Sequence, residues 1–305
     1  METPRVLVVG PAYLDVVAAP LPRWPELGEE VFTEGVELTA GGFAIAAVAL
    51  RRLGLGVGLG TALGPDGPGA YLASLLAAEG VERVGPSIAR TPVTLALNRQ
   101  GDRAFVTAGP PHGESLCEAG SEALARWPDA SWLHLSGRGS WATDVARQAH
   151  ARGLFVSLDC GTDLDWLPSA AFRKVLAQVD LYLPNVREAA CVTGQDDPLR
   201  AAVALGDLVP RVIVKLGADG VLSCEGHVTR HHPTKPRKVI DATGAGDVFD
   251  AGYIAGTLYG FSEDQAVELG QFAAGEALGA LGGATAAPGR VACEAALGDL
   301  PWPRT

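Results

Sequence analysis

Short apolar runs alternate with stretches of helical spacing along most of this chain, and that alternation limits the fold more than any other feature. Strand-like runs fall at 5–9, 132–135, 155–158, 181–183 and 212–216. Between them, 44–53, 68–79, 143–152, 170–178 and 187–193 carry the three-and-four spacing of helices. Parallel strands cannot be joined by tight turns, so each needs a crossover, usually a helix. The pattern predicts an α/β fold with a mainly parallel sheet covered on both faces. In such sheets ligands bind beyond the carboxyl ends of the strands.

Two segments depart from the alternation. Residues 16–39 contain Pro20, Pro22, Pro25 and Gly28, followed by alternating Val31, Thr33, Gly35 and Val36. Residues 94–107 alternate about a Gln100-Gly101-Asp102 turn, the pattern of a β-hairpin. The 305 residues, 48% hydrophobic and 19% charged, suffice for a large core. A net charge of −11 argues against a nucleic-acid-backbone binder, which needs a basic face. The most apolar stretch, 53–63, is too short and glycine-rich to span a membrane, and no secretory signal is expected from the acidic start. Five scattered cysteines form no Cys-x-x-Cys pair, which predicts free thiols and a cytoplasmic setting. His231-His232 is adjacent rather than at metal-ligand spacing and reads as part of a solvated loop.

The run Asp241-Ala242-Thr243-Gly244-Ala245-Gly246-Asp247 carries the chemistry. It follows an extended or strand-like 238–240 and leads into a helix with a buried face at Val248, Ala251, Gly252, Ala255 and Tyr259. Backbone N–H groups at a helix start are unpaired and favour anions, and glycines let a phosphate come close. A carboxylate there could take a proton from a hydroxyl attacking that phosphate, although Asp247 also suits simple capping. The run lacks the last glycine of a dinucleotide fingerprint, and no Gly-Lys pair allows a P-loop. Asn185-Val186-Arg187-Glu188, after Pro184, has the spacing of a capping box.

The Asp241–Asp247 run resembles the C-terminal motif of the ribokinase/PfkB family of carbohydrate and nucleoside kinases. Other pieces occur in the family's order: Val8-Val9-Gly10 with Asp15, Gly41-Gly42, Gly64-Pro65-Asp66-Gly67-Pro68-Gly69, Leu133-His134-Leu135-Ser136-Gly137, Asn185 to Glu188, and Lys215-Leu216-Gly217. The resemblance implies one ribokinase-like domain over 1–305, a three-layer, doubly wound sheet. It also implies a small β-sheet lid built from about 16–39 and 94–107, which excludes water and supplies a homodimer interface.

The same resemblance implies site roles. Asp247 is the expected base, with Gly244, Ala245 and Gly246 as an anion hole. Asn185, Glu188, Lys215, Gly217, Thr243 and Gly283 are expected on the ATP side. Glu188 is expected to act on Mg²⁺, in part through water. Asp241 and the Gly282-Gly283 loop are expected to hold a monovalent cation such as K⁺. On the acceptor side stand Asp15, Gly41, Gly42, Phe43 and Arg138. A solvent-facing role for Arg138 is the plain alternative.

The chain departs from the family after Gly42. Sugar-specific members often carry Lys and then Asn there, whereas this chain has Phe43 and Ala46. Those residues suit an apolar or flat substrate part, such as the nucleobase of a purine nucleoside or pseudouridine or a deoxy or bulky sugar, or Phe43 belongs to the core. The expected activity is ATP-dependent phosphorylation of a hydroxymethyl group on a sugar-like acceptor. The rivals are a nucleoside kinase and a silent ligand sensor.

Overall fold

The structure is a computed structural model that describes residues 5–99, 102–109, 113–161, 163 and 165–303, with only the backbone of Asp102. The chain divides into two compact units. The first comprises 1–10, 56–61 and 112–236, the second 11–55, 62–111 and 237–305.

The first unit carries a mainly parallel sheet with helices. In order across it lie Val228–His232, Val221–Glu225, Arg211–Lys215, Leu181–Tyr182, Phe155–Asp159, Trp132–Ser136, Val6–Val9 and Val57–Gly60. Pairing is parallel from Val57–Gly60 through Arg211–Lys215 and antiparallel for the last two strands. Val6, Leu7, Val8 and Val9 are all fully buried, the continuous apolar signature of a parallel strand covered on both faces. The five strands expected from the sequence form within one or two residues. Ser136, Asp159 and Lys215 end their strands, so the sheet's carboxyl edge gathers polar side chains.

One strand was not expected, and one expectation needs correction. Val57–Gly60 is a strand although its glycines hide it. His231 and His232 lie in the strand Val228–His232, not in a solvated loop. His232 is buried, with Nε2 3.0 Å from Ser223 Oγ. The hairpin forms because Gly226 and His227 both adopt positive φ, the two-residue turn that matches strand twist. Residues 238–240 form no strand, which leaves the extended alternative, and Ile240 N–H donates to the Leu278 carbonyl.

The second unit contains a four-stranded sheet ordered Val36–Gly42, Ala12–Ala18, Val93–Arg99, Asp102–Ala108. The expected hairpin strands pair antiparallel, while Gln100 and Gly101 of its turn lie outside the described residues. Residues 19–35 form no strand. Register gives this sheet two unlike faces. One presents Asp15, Thr39, Thr94 and Thr107 side by side, and the other Val16, Leu38, Leu95 and Val106. Helices Phe43–Arg52, Gly67–Ala78, Ala245–Leu258, Glu263–Ala277 and Arg290–Ala296 complete the unit.

Candidate active site

In the second unit the glycine-rich run opens the helix Ala245–Leu258. Gly244 is the N-cap at φ 71, a left-handed conformation that favours glycine. A Cβ there would lie 2.7 Å from the Gly283 Cα and 2.8 Å from Ile45 Cδ1. The cap residue has no side chain to offer, so it makes no side-chain bond to the first amides. The first helical bond runs from Val248 N–H to the Gly244 carbonyl at 2.9 Å. Ala245 N–H makes a long turn contact of 3.4 Å to the Ala242 carbonyl. By helix geometry the amides of Gly246 and Asp247 precede the first i→i−4 bond. Asp247 occupies the third helical position, in the first turn, and is partly exposed.

Asp241 braces this start. Its Oδ1 accepts Thr243 N–H at 2.9 Å and Thr243 Oγ1–H at 2.8 Å, while Oδ2 accepts Gly282 N–H at 2.9 Å. Asp241, Thr243, Gly244 and the Gly282-Gly283 loop thus form one clasp, with both Asp241 and Thr243 buried.

Asp15 is buried, and its Oδ1 has no hydrogen-bond partner. Burial pushes its pKa from 3.8 up to about 7; the Thr94 hydroxyl opposes this and the nearby Asp241 charge adds to it. Thr94 Oγ1 lies 3.0 Å from Thr107 Oγ1. A Cβ on Gly41 would fall 2.1 Å from the Asp15 carboxyl carbon, so only glycine leaves room for that carboxylate. Gly42 ends the strand and N-caps the next helix at φ 59. Phe43 opens that helix and is only 7% exposed, and Ala46 is fully buried.

In the first unit, Asn185 Oδ1 accepts Glu188 N–H, and Glu188 Oε2 accepts Asn185 N–H, both at 2.9 Å. This is a complete capping box on the helix Val186–Thr193, and Glu188 is buried. Lys215 Nζ pairs with Asp159 Oδ2 at 3.0 Å across the intervening strand Leu181–Tyr182. Among the described residues, Asp159, Cys160 and Glu188 place one ligand atom each within 4.8 Å of one another. The carboxylates suit a hard cation such as Mg²⁺. Cys160 does not: burial pushes its thiol well above its ordinary pKa, and Sγ lies 3.1 Å from the Tyr182 hydroxyl.

The structure therefore groups Asp241, Thr243, Gly244 and Gly283, pairs Asp15 with Gly41, and gathers Asn185, Glu188 and Lys215 at one sheet edge. Gly217 opens a short 3₁₀ turn at φ 62. The Arg138 side chain is 57% exposed, with Nε 3.7 Å from Asp163 Oδ2. Sequence reasoning missed Asp159 because the apolar run stops one residue earlier. It missed Thr94 and Thr107 because threonine is ordinary in a hairpin.

The pfkB family carbohydrate kinase model matches residues 3–290. An Escherichia coli fructokinase is 30% identical over 272 residues, covering 81% of this chain and 88% of its own. The fold is shared with an E. coli protein provisionally called ribokinase II, in complex with ATP and Mg²⁺. Its TM-score is 0.82 at 22% identity, over 97% of this chain and 99% of that one. It is shared as well with adenosine kinase from Sinorhizobium meliloti, at TM-score 0.82 and 20% identity, over 97% and 100%. The chain belongs to the pfkB family of carbohydrate kinases, with its ribokinase-like α/β fold and smaller lid sheet. It is a phosphotransferase with an alcohol group as acceptor.

Proposed function

We propose that the protein transfers the γ-phosphoryl group of ATP to a hydroxymethyl group of a sugar-like acceptor. One observation carries the reading: a glycine-capped helix start with no side-chain cap has a carboxylate, Asp247, in its first turn. Phosphoryl transfer needs positioning and charge stabilisation more than covalent work by the protein. The amides about Gly244, Ala245 and Gly246 stabilise the moving phosphoryl group, aided by the helix dipole. Asp247 accepts the proton of the attacking hydroxyl. Asp15, with an unpartnered buried oxygen, accepts hydroxyl groups of the acceptor and holds them in place.

On the ATP side we assign Asn185, Glu188, Lys215, Gly217, Thr243 and Gly283. Glu188 and Asp159 fit Mg²⁺, which when bound offsets phosphate charge. Phe43 and Ala46 are buried, which supports a sugar-like acceptor over a nucleobase stacked on Phe43. The exposed apolar face of the small sheet, with Val36, Leu38, Leu95 and Val106, suits a second copy of this chain meeting it sheet to sheet. No helix of the described residues is long and apolar enough to cross a membrane.

The test is ADP release from Mg·ATP across pentoses, hexoses, aldonates, sugar phosphates and nucleosides. Turnover with a hydroxymethyl sugar is expected. Turnover confined to nucleosides would replace the acceptor, and none with any alcohol would overturn the reading.

A further inference from the structure

Asp15, Thr94 and Thr107 stand opposite one another on the strands Ala12–Ala18, Val93–Arg99 and Asp102–Ala108, all within the second unit. Residues in register across a sheet share a face, so the three side chains form one row. Thr94 Oγ1 lies 3.0 Å from Thr107 Oγ1, and the Thr94 hydroxyl also hydrogen-bonds the Asp15 carboxylate. A threonine hydroxyl has one proton to give, and an ionised carboxylate can only accept. Thr94 therefore gives its proton to Asp15, and Thr107 gives its own to Thr94. The chain of bonds has one direction. Thr94 and Asp15 are buried and Thr107 is exposed, so it runs from the surface into the sheet.

The chain ends on a carboxylate whose Oδ1 has no partner. That carboxylate lies over Gly41, which offers no side chain to wall it in, and rotation about an aspartate's terminal bond is broad. On the other neighbouring strand Thr39 is engaged by the loop after Gly282. A Cβ on Gly282 would lie 2.6 Å from Thr39 Cγ2, and Thr285 Oγ1 donates to Thr39 Oγ1 at 3.4 Å. Among the described residues the charged group acting on the Asp15 carboxyl is Asp241, from the run before the helix Ala245–Leu258. A bond from Thr94 is thus what turns the carboxylate.

We infer that Thr94 and Thr107 are positioning residues for the acceptor, whose one-way hydrogen-bond chain turns the Asp15 carboxylate and leaves Oδ1 to accept an acceptor hydroxyl. The acceptor part rests on the kinase reading; the chain itself does not. Both hydroxyl protons of the chain are committed, so this row takes an acceptor hydroxyl as a donor. A carboxylate or phosphate group at the same place would meet Asp15 and Asp241 as like charges.

The experiment compares wild type with Thr94→Val, Thr94→Ser and Thr107→Val. Melting against pH is read first, because it needs no kinase activity. The stabilisation from Asp15 in wild type is complete below 3.8 and is lost as pH rises through about 7. The Thr94 bond favours the charged carboxylate, so its loss raises the folded-state pKa further. In Thr94→Val the fall in melting temperature should therefore extend to higher pH than in wild type. Thr94→Ser keeps the hydroxyl and should follow wild type. Thr107→Val removes the donor behind Thr94 and should shift the profile the same way by less. With a pentose or hexose that turns over, Thr94→Val should raise the acceptor KM about 10-fold, the scale of one hydrogen bond to a charged group, with a smaller change in kcat. The acid limb of its KM profile should move to higher pH, and Thr94→Ser should restore both. If Thr94→Val does not fold, the Thr107→Val profiles decide. An unshifted melting profile in either folded valine variant, or a serine variant that behaves like valine, would overturn the chain. Shifted melting with an unchanged acceptor KM would overturn the positioning role. Wild type without turnover on any alcohol but with the expected melting profiles would sink the kinase reading and leave the chain standing.

Discussion

Glu188 and Asp159 in the first unit and Asp15 in the second are in opposite states. In the first unit, Glu188 folds back onto the Asn185 amide and Asp159 is held by Lys215. In the second, Asp15 is buried with an oxygen that nothing meets, and the helix at Ala245 starts without a side-chain cap. Glu188 and Asp247 occupy the same third helical position, yet the residue before each helix differs. Asn185 supplies a side chain that closes a capping box, whereas Gly244 supplies none. Satisfied groups build a frame, and an unmet buried group calls for an explanation such as a ligand, ion or water.

Filling the empty cap should break that contrast most severely. In Gly244→Ala the left-handed φ and the 2.7 Å approach to Gly283 cannot both persist. The helix start must shift, and steady-state assays should show kcat about 100-fold lower, the cost of a lost oxyanion donor.

Asp15→Asn comes next and separates binding from folding. Losing charge-assisted bonds to acceptor hydroxyls should raise the acceptor KM by about 10-fold or more, with a smaller change in kcat. Burial raises the Asp15 pKa to about 7, so the ligand-free fold keeps a proton that the unfolded chain releases above 3.8. That stabilisation is complete below 3.8 and is lost as pH rises through about 7. Wild-type melting temperature should therefore fall relative to the variant's over this range. Acceptor KM, which needs the carboxylate, should rise in wild type below about pH 7. A pH-independent difference between the two proteins would refute the assignment.

The first unit should respond more mildly. Glu188→Gln retains an oxygen for the Asn185 amide but loses charge, so the Mg²⁺ concentration for half-maximal rate should rise while acceptor KM stays put. Asn185→Ala should cost about 1 kcal/mol of stability, the usual price of a lost cap, visible as a lower denaturation midpoint. An unchanged Mg²⁺ titration for Glu188→Gln would leave the capping box as the whole role of that residue.

Much of the sheet was legible because apolar runs such as 6–9 and 155–158 bury both faces and so read as continuous hydrophobic segments. The Val57–Gly60 strand was not, since half of its residues are glycines that carry no pattern. The Val221–His232 hairpin was hidden by His227 in a conformation that sequence seldom signals. At the site, the glycine run and the Asn185–Glu188 spacing were readable because backbone conformation dictates them locally. The Asp159–Lys215 pair was not, because its partners lie 56 residues apart.

The central claim is that Asp247 takes the acceptor's proton. Asp247→Asn keeps the size and hydrogen-bonding capacity of the side chain but removes the proton acceptor. Single-turnover transfer at saturating Mg·ATP and acceptor is the measurement. The account predicts a rate at least about 100-fold below wild type, with acceptor affinity and melting temperature retained. A rate within a few fold of wild type would contradict it.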